Sequence, residues 1–358
     1  MPLDDPLFRA PADAVPLDWA AIAAHLAQSG LRLDPDTTPR QFRGGLANLN
    51  FLVVVDGMPA VLRSPPPGPL PPGANDMRRE HRILSRLGHA LPLAPKSLHL
   101  CEDAGVAGHP FLLLEYRKGV TLAGAAPPRL AAEPRAGARL GPLLVDTLAD
   151  IHAVDPAAVG LGDLGRPAGF LERAVDGWVR RARLSAAADD PDPLVDELAR
   201  WLSDALPGVP PAPAALLHND FKLDNLILDP DRLEPVAILD WDQGTRGDPL
   251  FDLATLLSYW TEPGDPPAMQ ELAQMPTAGY GFPSRREAAE RYAARTGRDL
   301  SGFRFHRVLA LFKLAVVFQQ FHARHRNGAT CDPRFAAFGA LARGLFAFTH
   351  DISRGRGF

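Results

Sequence analysis

Residues 217–228 read LHNDFKLDNLIL and residues 238–242 read ILDWD, and these two stretches decide the fold that the sequence predicts. In the first stretch, the carboxylate of Asp220 is followed by a lysine two residues later and by the amide of Asn225 five residues later. In the second stretch, Asp240 directly follows a short apolar run. Carboxylate, amine and amide groups at this spacing can converge on one cluster of oxygen atoms.

Transfer of a phosphoryl group requires groups of these kinds. One carboxylate accepts the proton of the acceptor hydroxyl, one cation neutralises the γ-phosphate, and an amide with a second carboxylate holds Mg²⁺. We therefore predict Asp220 as the base and Lys222 as the phosphate-binding cation. Asn225 and Asp240 are the predicted magnesium ligands.

The same residues resemble a known family. HNDFKLDN (residues 218–225) and ILDWDQGTRGDPLFDLA (residues 238–254) are similar to the aminoglycoside-phosphotransferase-like kinases, which have HGD and LDW where protein kinases have HRD and DFG. We call residues 218–225 the catalytic loop. The resemblance implies that Asp248 and Asp252 brace the backbone of this loop. One departure is Asn219, which occupies a position where the family usually has glycine, and a side chain there restricts the backbone.

Composition restricts the classes of function. A chain of 358 residues exceeds a typical single core, so two lobes are expected. The formal net charge is −4 and no long basic run occurs, which argues against nucleic-acid binding.

No apolar run approaches the roughly 18 residues of a membrane span, and the N-terminal residues lack a signal-peptide pattern. Two cysteines, Cys101 and Cys331, make a disulfide framework improbable. We expect a cytoplasmic protein without nucleic-acid or membrane partners.

Residues 41–63 have the pattern of a β-hairpin. Two β-rich runs flank an Asp-Gly pair at 56–57, which is a strong turn signal. Gly44, Gly45 and Asn48 precede the hairpin, at the place of a loop that covers nucleotide phosphates with backbone amides. Taken alone, a double glycine is more typical of an ordinary turn.

Arg63 ends the second strand, at the position where kinases have the lysine that binds the α- and β-phosphates. No lysine precedes Lys96, so Arg63 is the candidate, and a guanidinium can bridge phosphate oxygens at two points. Its expected partner is Glu80, on a helix predicted over 75–87. Alternatively, Arg63 is an exposed strand-end arginine and Glu80 an ordinary surface acid.

The nucleotide base should bind at a hinge. Strands predicted at 97–102 and 111–115 complete a five-stranded lobe, and residues 114–117, LEYR, match a kinase hinge. There an adenine would bond the carbonyl of Glu115 and the amide of Arg117, contacts that any side chain permits. These contacts do not determine which base binds. We predict ATP with Mg²⁺ as the cofactor, and GTP is not excluded.

We predict an α+β, two-lobed protein-kinase-like fold, with a small antiparallel β-sheet N-lobe containing one main helix and a larger, mostly helical C-lobe. Amphipathic patterns and capping residues predict the helices of the C-lobe at 138–152, 193–206, 284–296, 303–326 and 332–350. The predicted domains are an N-terminal arm and helix (1–35), the N-lobe (36–117) and the C-lobe (118–358). The proline-rich stretch 64–73 is predicted as a stiff loop, either a lid or a plain connector.

A narrower resemblance concerns the substrate. RGGLANLNF (43–51), VLRSPPPG (61–68), PFLLLEY (110–116) and residues 283–320 are similar to the kinase-like domain that accompanies certain acyl-CoA dehydrogenases. The resemblance covers roughly residues 38–350. It implies an ATP- and Mg²⁺-dependent phosphotransferase acting on a hydroxyl of a small molecule, such as a hydroxy acid or a hydroxyacyl-CoA. It also implies a functional link to an acyl-CoA dehydrogenase.

Two alternatives stay open. An aminoglycoside or other antibiotic kinase is the first, although the arginine-rich composition of residues 284–326 favours an anionic or neutral acceptor over a polycation. A non-catalytic, nucleotide-binding regulatory module is the second. The intact Asp220, Asn225 and Asp240 argue against it, whereas Arg63 in place of lysine and Asn219 in place of glycine favour it.

Overall fold

A computed structural model describes residues 7–43, 48–66, 75–186, 192–328 and 334–358. In this described part of the chain the strands are β1 (Arg40–Gln41), β2 (Leu49–Val55), β3 (Met58–Ser64), β4 (Ser97–Cys101), β5 (Phe111–Glu115), β6 (Ala215–Leu217), β7 (Leu226–Leu228), β8 (Pro235–Ile238) and β9 (Thr245–Gly247). The α-helices are α1 (Trp19–Gln28), α2 (Met77–Leu87), α3 (Ala104–Ala107), α4 (Gly137–Ala153), α5 (Phe170–Ser185), α6 (Pro193–Ala205), α7 (Pro249–Ser258), α8 (Pro267–Leu272), α9 (Arg285–Thr296), α10 (Phe303–Arg326) and α11 (Arg334–Ser353).

The chain divides into two compact units. The first comprises Met1–Val120 with Ile227–Gly244, and the second comprises Thr121–Leu226 with Thr245–Phe358. The boundaries predicted from the sequence are linear and do not anticipate that residues 227–244 return to the first unit. No helix in the described residues is long and apolar enough to cross a membrane.

A five-stranded antiparallel sheet, in the order β1-β2-β3-β5-β4, forms the centre of the first unit. β2 and β3 are paired along their length, and the last pair before the turn is Val55 with Met58. The two turn residues, Asp56 and Gly57, have φ values of +50° and +76°. Positive φ at both turn positions matches the right-handed twist of the strands. The predicted hairpin and the predicted number of strands are confirmed.

Helices α1 and α2 of the first unit begin where capping residues place them. Asp18 accepts a hydrogen bond from Ala21 N at 2.9 Å, and Asp76 caps α2 in the same way. Ile22 and Leu26 of α1 are fully buried in the core cluster beside the sheet. The N-terminal arm is anchored to the first unit, since Phe8 is buried and forms a β-bridge with Phe42.

A second hairpin follows the catalytic loop. β7 and β8 pair as a two-stranded sheet, and the backbone amides of Asp231 and Arg232 bond the carboxylate of Asp229 in the turn. Asp240 follows β8 with φ +67°. The next residue, Trp241, is fully buried, and its indole donates to Ile238 O at 2.9 Å. The backbone around Asp240 is therefore fixed.

The second unit is mostly helical. α10 packs against α5, α7 and α11 and has the bounds that the sequence predicts. β6 and β9 pair antiparallel, so the start of the catalytic loop, after β6, lies beside the start of α7, after β9. Helix α5 was missed, although Leu171, Val175, Trp178 and Ala182 recur at helical spacing.

Candidate active site

The catalytic loop of the second unit is held by one buried carboxylate. Asp252, on α7, accepts hydrogen bonds from His218 N at 2.7 Å and from Asn219 N at 2.9 Å, and its third contact is His152 Nε2 at 3.2 Å. Burial opposes ionisation of Asp252, but the bonds and charges of His152 and His218 hold its pKa below the ordinary value. The bracing expected of Asp252 is therefore present in the structure.

Asp248 has a different role from the one the resemblance implies. Its carboxylate accepts from Leu250 N at 2.9 Å and so caps α7, and its other oxygen lies 3.0 Å from His306 Nε2. These contacts fix the start of the helix that carries Asp252. Asp248 thus supports the loop indirectly.

Asn219 has a left-handed backbone conformation, with φ +66°. Asparagine adopts this region more readily than most residues that have a side chain, which explains how it can stand in place of glycine. Its carbonyl accepts a hydrogen bond from Lys313 Nζ, on α10, at 2.6 Å. The peptide groups that precede Asp220 are therefore bonded from two different helices.

Asp220, the predicted base, lies among the other predicted residues of the loop. Tyr259 OH donates to its Oδ1 at 2.9 Å, and Lys222 Nζ lies 3.4 Å from its Oδ2. Asn225 Nδ2 donates to the backbone carbonyl of Asp220 at 2.8 Å. The structure therefore brings Asp220, Lys222 and Asn225 together, and it adds Tyr259, for which the sequence contained no signal.

Lys222 is shared between two carboxylates. Its Nζ lies 3.2 Å from Asp224 Oδ2, and it also lies 5.6 Å from the centroid of the Tyr259 ring. Burial raises the pKa of Asp224 above its ordinary value, although the charge of Lys222 opposes this. Asp224 lies within the catalytic loop, so its position in the sequence could have indicated that it belongs to the candidate site.

In the first unit, Arg63 links two acidic residues. Its Nε lies 2.8 Å from Glu80 Oε2, and its Nη2 contacts Asp240. Arg63 is 7% exposed and Glu80 is 1% exposed, so neither is the surface residue that the alternatives proposed. Burial would lower the pKa of Arg63, but the charges of Asp240 and Glu80 outweigh it and raise the pKa above the ordinary value. The ion pair is as predicted, and its role in binding phosphates stays a prediction.

The pKa of Glu80 is raised. Burial is the main cause and the nearby Asp240 adds to it, while Arg63 opposes both. Glu80 Oε1 also accepts from Trp241 N at 3.3 Å, which ties α2 to the turn after β8. The position of Arg63 is thus set by three elements of the first unit, which are β3 itself, α2 and the turn after β8.

The structure describes only some of the remaining residues that the sequence predicts to bind the nucleotide. Gly44 and Gly45 lie outside the described residues. Asn48 is buried, and its Oδ1 accepts from Asn75 Nδ2 at 2.8 Å. At the predicted hinge, Arg117 Nη2 lies 3.0 Å from Glu115 Oε2. This ion pair occupies the side chains of the hinge, whereas the predicted adenine contacts use its backbone.

The residues present have the chemistry that Mg²⁺ requires. Mg²⁺ prefers oxygen ligands and is usually held by one or two carboxylates together with substrate phosphates. Because Asn225 uses Nδ2 on the loop backbone, its Oδ1 is the atom available to a cation. Within the described ranges no group of three or more His, Cys, Asp or Glu side chains is placed to hold a metal ion.

Comparison with known proteins decides the family. The profile of the phosphotransferase enzyme family matches residues 38–306. The chain belongs to the phosphotransferase enzyme family. It is 30% identical over 320 residues to acyl-CoA dehydrogenase family member 10 of Mus musculus, covering 89% of this chain and 29% of that protein. It is 32% identical over 293 residues to acyl-CoA dehydrogenase family member 11 of Rattus norvegicus, covering 81% and 37%. The chain thus spans less than two fifths of these relatives.

Solved structures of phosphotransferases share the fold. A structure named as an aminoglycoside phosphotransferase of Ralstonia eutropha matches with a TM-score of 0.75 and 26% identity over 95% of this chain and 99% of that one. A ternary complex of the aminoglycoside phosphotransferase APH(4)-Ia with ADP and hygromycin B matches with a TM-score of 0.60 and 16% identity, covering 94% and 100%. The predicted α+β kinase-like fold and the predicted enzyme class, a small-molecule kinase, are confirmed.

Proposed function

We propose that this phosphotransferase moves the γ-phosphate of ATP, with Mg²⁺, to a hydroxyl of a small anionic molecule, with a hydroxy acid or a hydroxyacyl-CoA as the candidate acceptor. The observation that carries the proposal is the arrangement around Asp220. Its two carboxylate oxygens face Tyr259 OH at 2.9 Å and Lys222 Nζ at 3.4 Å. A carboxylate oriented in this way can accept the proton of a hydroxyl while the adjacent ammonium faces the transferred phosphate.

In this proposal each predicted residue has one task. Asp220 accepts the hydroxyl proton, and Lys222 offsets the charge of the γ-phosphate. Asn225 and Asp240 supply oxygen ligands to Mg²⁺, and Arg63, oriented by Glu80, binds phosphate oxygens. Bound Mg²⁺ would supply the positive charge that the phosphates need during transfer. The neighbour solved with ADP supports a nucleotide as the second substrate.

Cations close to the catalytic loop support an anionic acceptor. Arg181 Cζ lies 4.5 Å from the centroid of the Trp178 ring, and Lys313 Nζ lies 6.0 Å from the same ring. Burial lowers the pKa of Lys313, and the charges of Arg181 and Lys222 lower it further, so the three cations are within electrostatic range of one another. Lys222 is shared with Asp220 and Asp224, and the carboxylates of Asp220 and Asp252 oppose the lowering of the Lys313 pKa. Arg181 is therefore the cation of this group that we propose as the partner of an anionic acceptor.

The arginine-rich segment 284–326 does not support this choice in the way the sequence suggested. Arg285 is buried against Asp265 and a second acid, and Arg291 pairs with Asp146 at 2.6 Å. These arginines are neutralised by acids of the same unit. The preference for an anionic acceptor therefore depends on Arg181 instead.

A substrate screen with a matched pair of variants tests the proposal. Consumption of ATP is measured with hydroxyacyl-CoAs, free hydroxy acids and aminoglycosides. We expect turnover with an anionic acceptor, and Arg181→Gln should raise its KM about tenfold while the KM for ATP stays unchanged. Arg183→Gln is the control, since Arg183 lies on the same helix, is 62% exposed and pairs with Asp196. Turnover with aminoglycosides alone would contradict the anionic acceptor.

A further inference from the structure

Lys313 is a buried cation for which neither the motif nor the family resemblance provides a role. It lies in the middle of α10, is 7% exposed, and is flanked by the rings of Trp178 at 6.0 Å and Phe251 at 5.5 Å. Its Nζ donates to Asn219 O at 2.6 Å. Burial of an ammonium is costly unless the charge is used, so a lysine here is a candidate for a functional residue.

The acceptor of this hydrogen bond is the peptide carbonyl directly before Asp220. On the other side of the same residue, Asn219 N donates to Asp252 Oδ1 at 2.9 Å. Asn219 is therefore bonded at both its N–H and its C=O, in a left-handed conformation with φ +66°. Because the carbonyl of Asn219 belongs to the peptide bond with Asp220, its orientation sets the direction in which the Asp220 side chain leaves the loop.

We propose that Lys313 is a positioning residue for phosphoryl transfer, which fixes the Asn219–Asp220 peptide so that the carboxylate of Asp220 meets the acceptor hydroxyl. The inference depends on the proposed role of Asp220 as the base. Lys313 acts through the loop backbone and does not touch the reacting atoms. A misplacement of about 1 Å at a catalytic group can reduce the rate on the order of 10²-fold.

The buried charge of Lys313 makes the melting temperature a measurement that separates a positioning role from a packing role. Burial lowers the pKa of Lys313, with Arg181 and Lys222 adding to the effect and Asp220 and Asp252 opposing it. A lowered lysine pKa means that the charged amine destabilises the folded state at pH values below the ordinary pKa of 10.5. Removing the amine therefore removes this cost as well as the bond, and the melting temperature should change little.

The experiment compares Lys313→Met, Lys313→Arg and Lys96→Met, the last as a control at an exposed lysine. Steady-state kinetics, the melting temperature and amide hydrogen exchange of residues 217–226 are measured on the full chain. We expect Lys313→Met to lower kcat at least about tenfold, with the KM for ATP within about twofold, the melting temperature within about 3 °C and faster exchange in the loop. Lys313→Arg should restore part of kcat, and Lys96→Met should match the parent.

The outcomes are distinguishable from failure of the proposed function. If the parent turns over and Lys313→Met retains its kcat, or if exchange in the loop is unchanged, Lys313 is not a positioning residue. A loss of kcat that follows a large fall in melting temperature in both Lys313 variants would also overturn the inference, because it indicates a packing role. If the parent transfers no phosphate to any acceptor, the proposed function fails, and loop exchange alone decides the role of Lys313.

Discussion

Arg63 Nε lies 2.8 Å from Glu80 Oε2, and the other end of the same guanidinium contacts Asp240. A buried cation between two carboxylates has little freedom to move, and removing it leaves both acids close together without compensation. The arrangement therefore fixes the direction in which the guanidinium is presented. It also explains how an arginine can stand where kinases have a lysine.

Replacement of Arg63 is expected to impair turnover strongly. Arg63→Ala should lower turnover on the order of 10²-fold, because it removes the cation proposed to bind phosphate oxygens. Arg63→Lys should restore only part, since an ammonium cannot form two parallel bonds from the same backbone position. Glu80→Gln should give a milder defect. Steady-state kinetics on the folded variants test this. Arg78→Ala, at an exposed position of the helix that carries Glu80, is the control. Unchanged turnover and nucleotide affinity in Arg63→Ala would place the phosphate-binding cation elsewhere.

The magnesium ligands can be tested one at a time. Asn225→Ala and Asp240→Ala should each raise the Mg²⁺ concentration at half-maximal rate by about tenfold or more, because each removes a proposed oxygen ligand. Asp240→Ala also breaks the contact with Arg63, so Arg63→Ala serves as its control. Its midpoint should move less than that of Asp240→Ala, because Arg63→Ala leaves both proposed oxygen ligands in place. Titration curves that do not move in either ligand variant are incompatible with the proposed metal site.

The pair formed by Arg63 and Glu80 was predictable from the sequence because each residue carries a local signal. An Asp-Gly turn fixes the end of β3, which carries Arg63, and the capping residue Asp76 fixes the start of the helix that carries Glu80. The spacing of Asp220, Lys222 and Asn225 is likewise local, and the structure brings these residues together. Local chemistry of this kind can be read without knowledge of the tertiary structure.

The rest of the candidate site depends on contacts between distant parts of the chain. Tyr259 is 39 residues from Asp220, and Lys313 is 94 residues from Asn219. In sequence, Tyr259 directly follows α7 and Lys313 lies within α10, and their apolar neighbours indicate packing only. Helix α5, which carries Arg181, was not predicted, although its apolar spacing is helical. Which polar residue of a helix faces a loop is decided by how the helices pack, and one sequence does not contain that information.

The conformation of Asn219 leads to a prediction about stability. Because φ is +66°, Asn219→Ala should destabilise the protein by about 1–2 kcal/mol relative to Asn219→Gly. The glycine variant should retain turnover close to that of the parent. Chemical denaturation of the two variants measures the difference. An alanine variant as stable as the glycine variant would contradict the left-handed conformation at this position.

The brace formed by Asp252 should give stability that depends on pH. The pKa of Asp252 is lowered in the folded protein from an ordinary value of 3.8, so its contribution is present above that value and is lost as pH falls through the folded pKa. Asp252→Asn should therefore cost about 2–3 kcal/mol at pH ~7, and the difference from the parent should shrink only below pH ~4. Denaturation curves across this range check the sign. Asp176→Asn, an exposed acid, is the control and should show no such difference.

The most direct test of the account is transfer of labelled γ-phosphate from ATP to the acceptor hydroxyl by the parent and by Asp220→Asn. The amide preserves the shape of the side chain and cannot accept the proton, so turnover should fall about 10²-fold or more. Nucleotide affinity should stay within about twofold, because the base acts on the acceptor and not on ATP. Asp204→Asn, at an exposed position, should match the parent. Near-normal turnover in Asp220→Asn would contradict the assignment of Asp220 as the base.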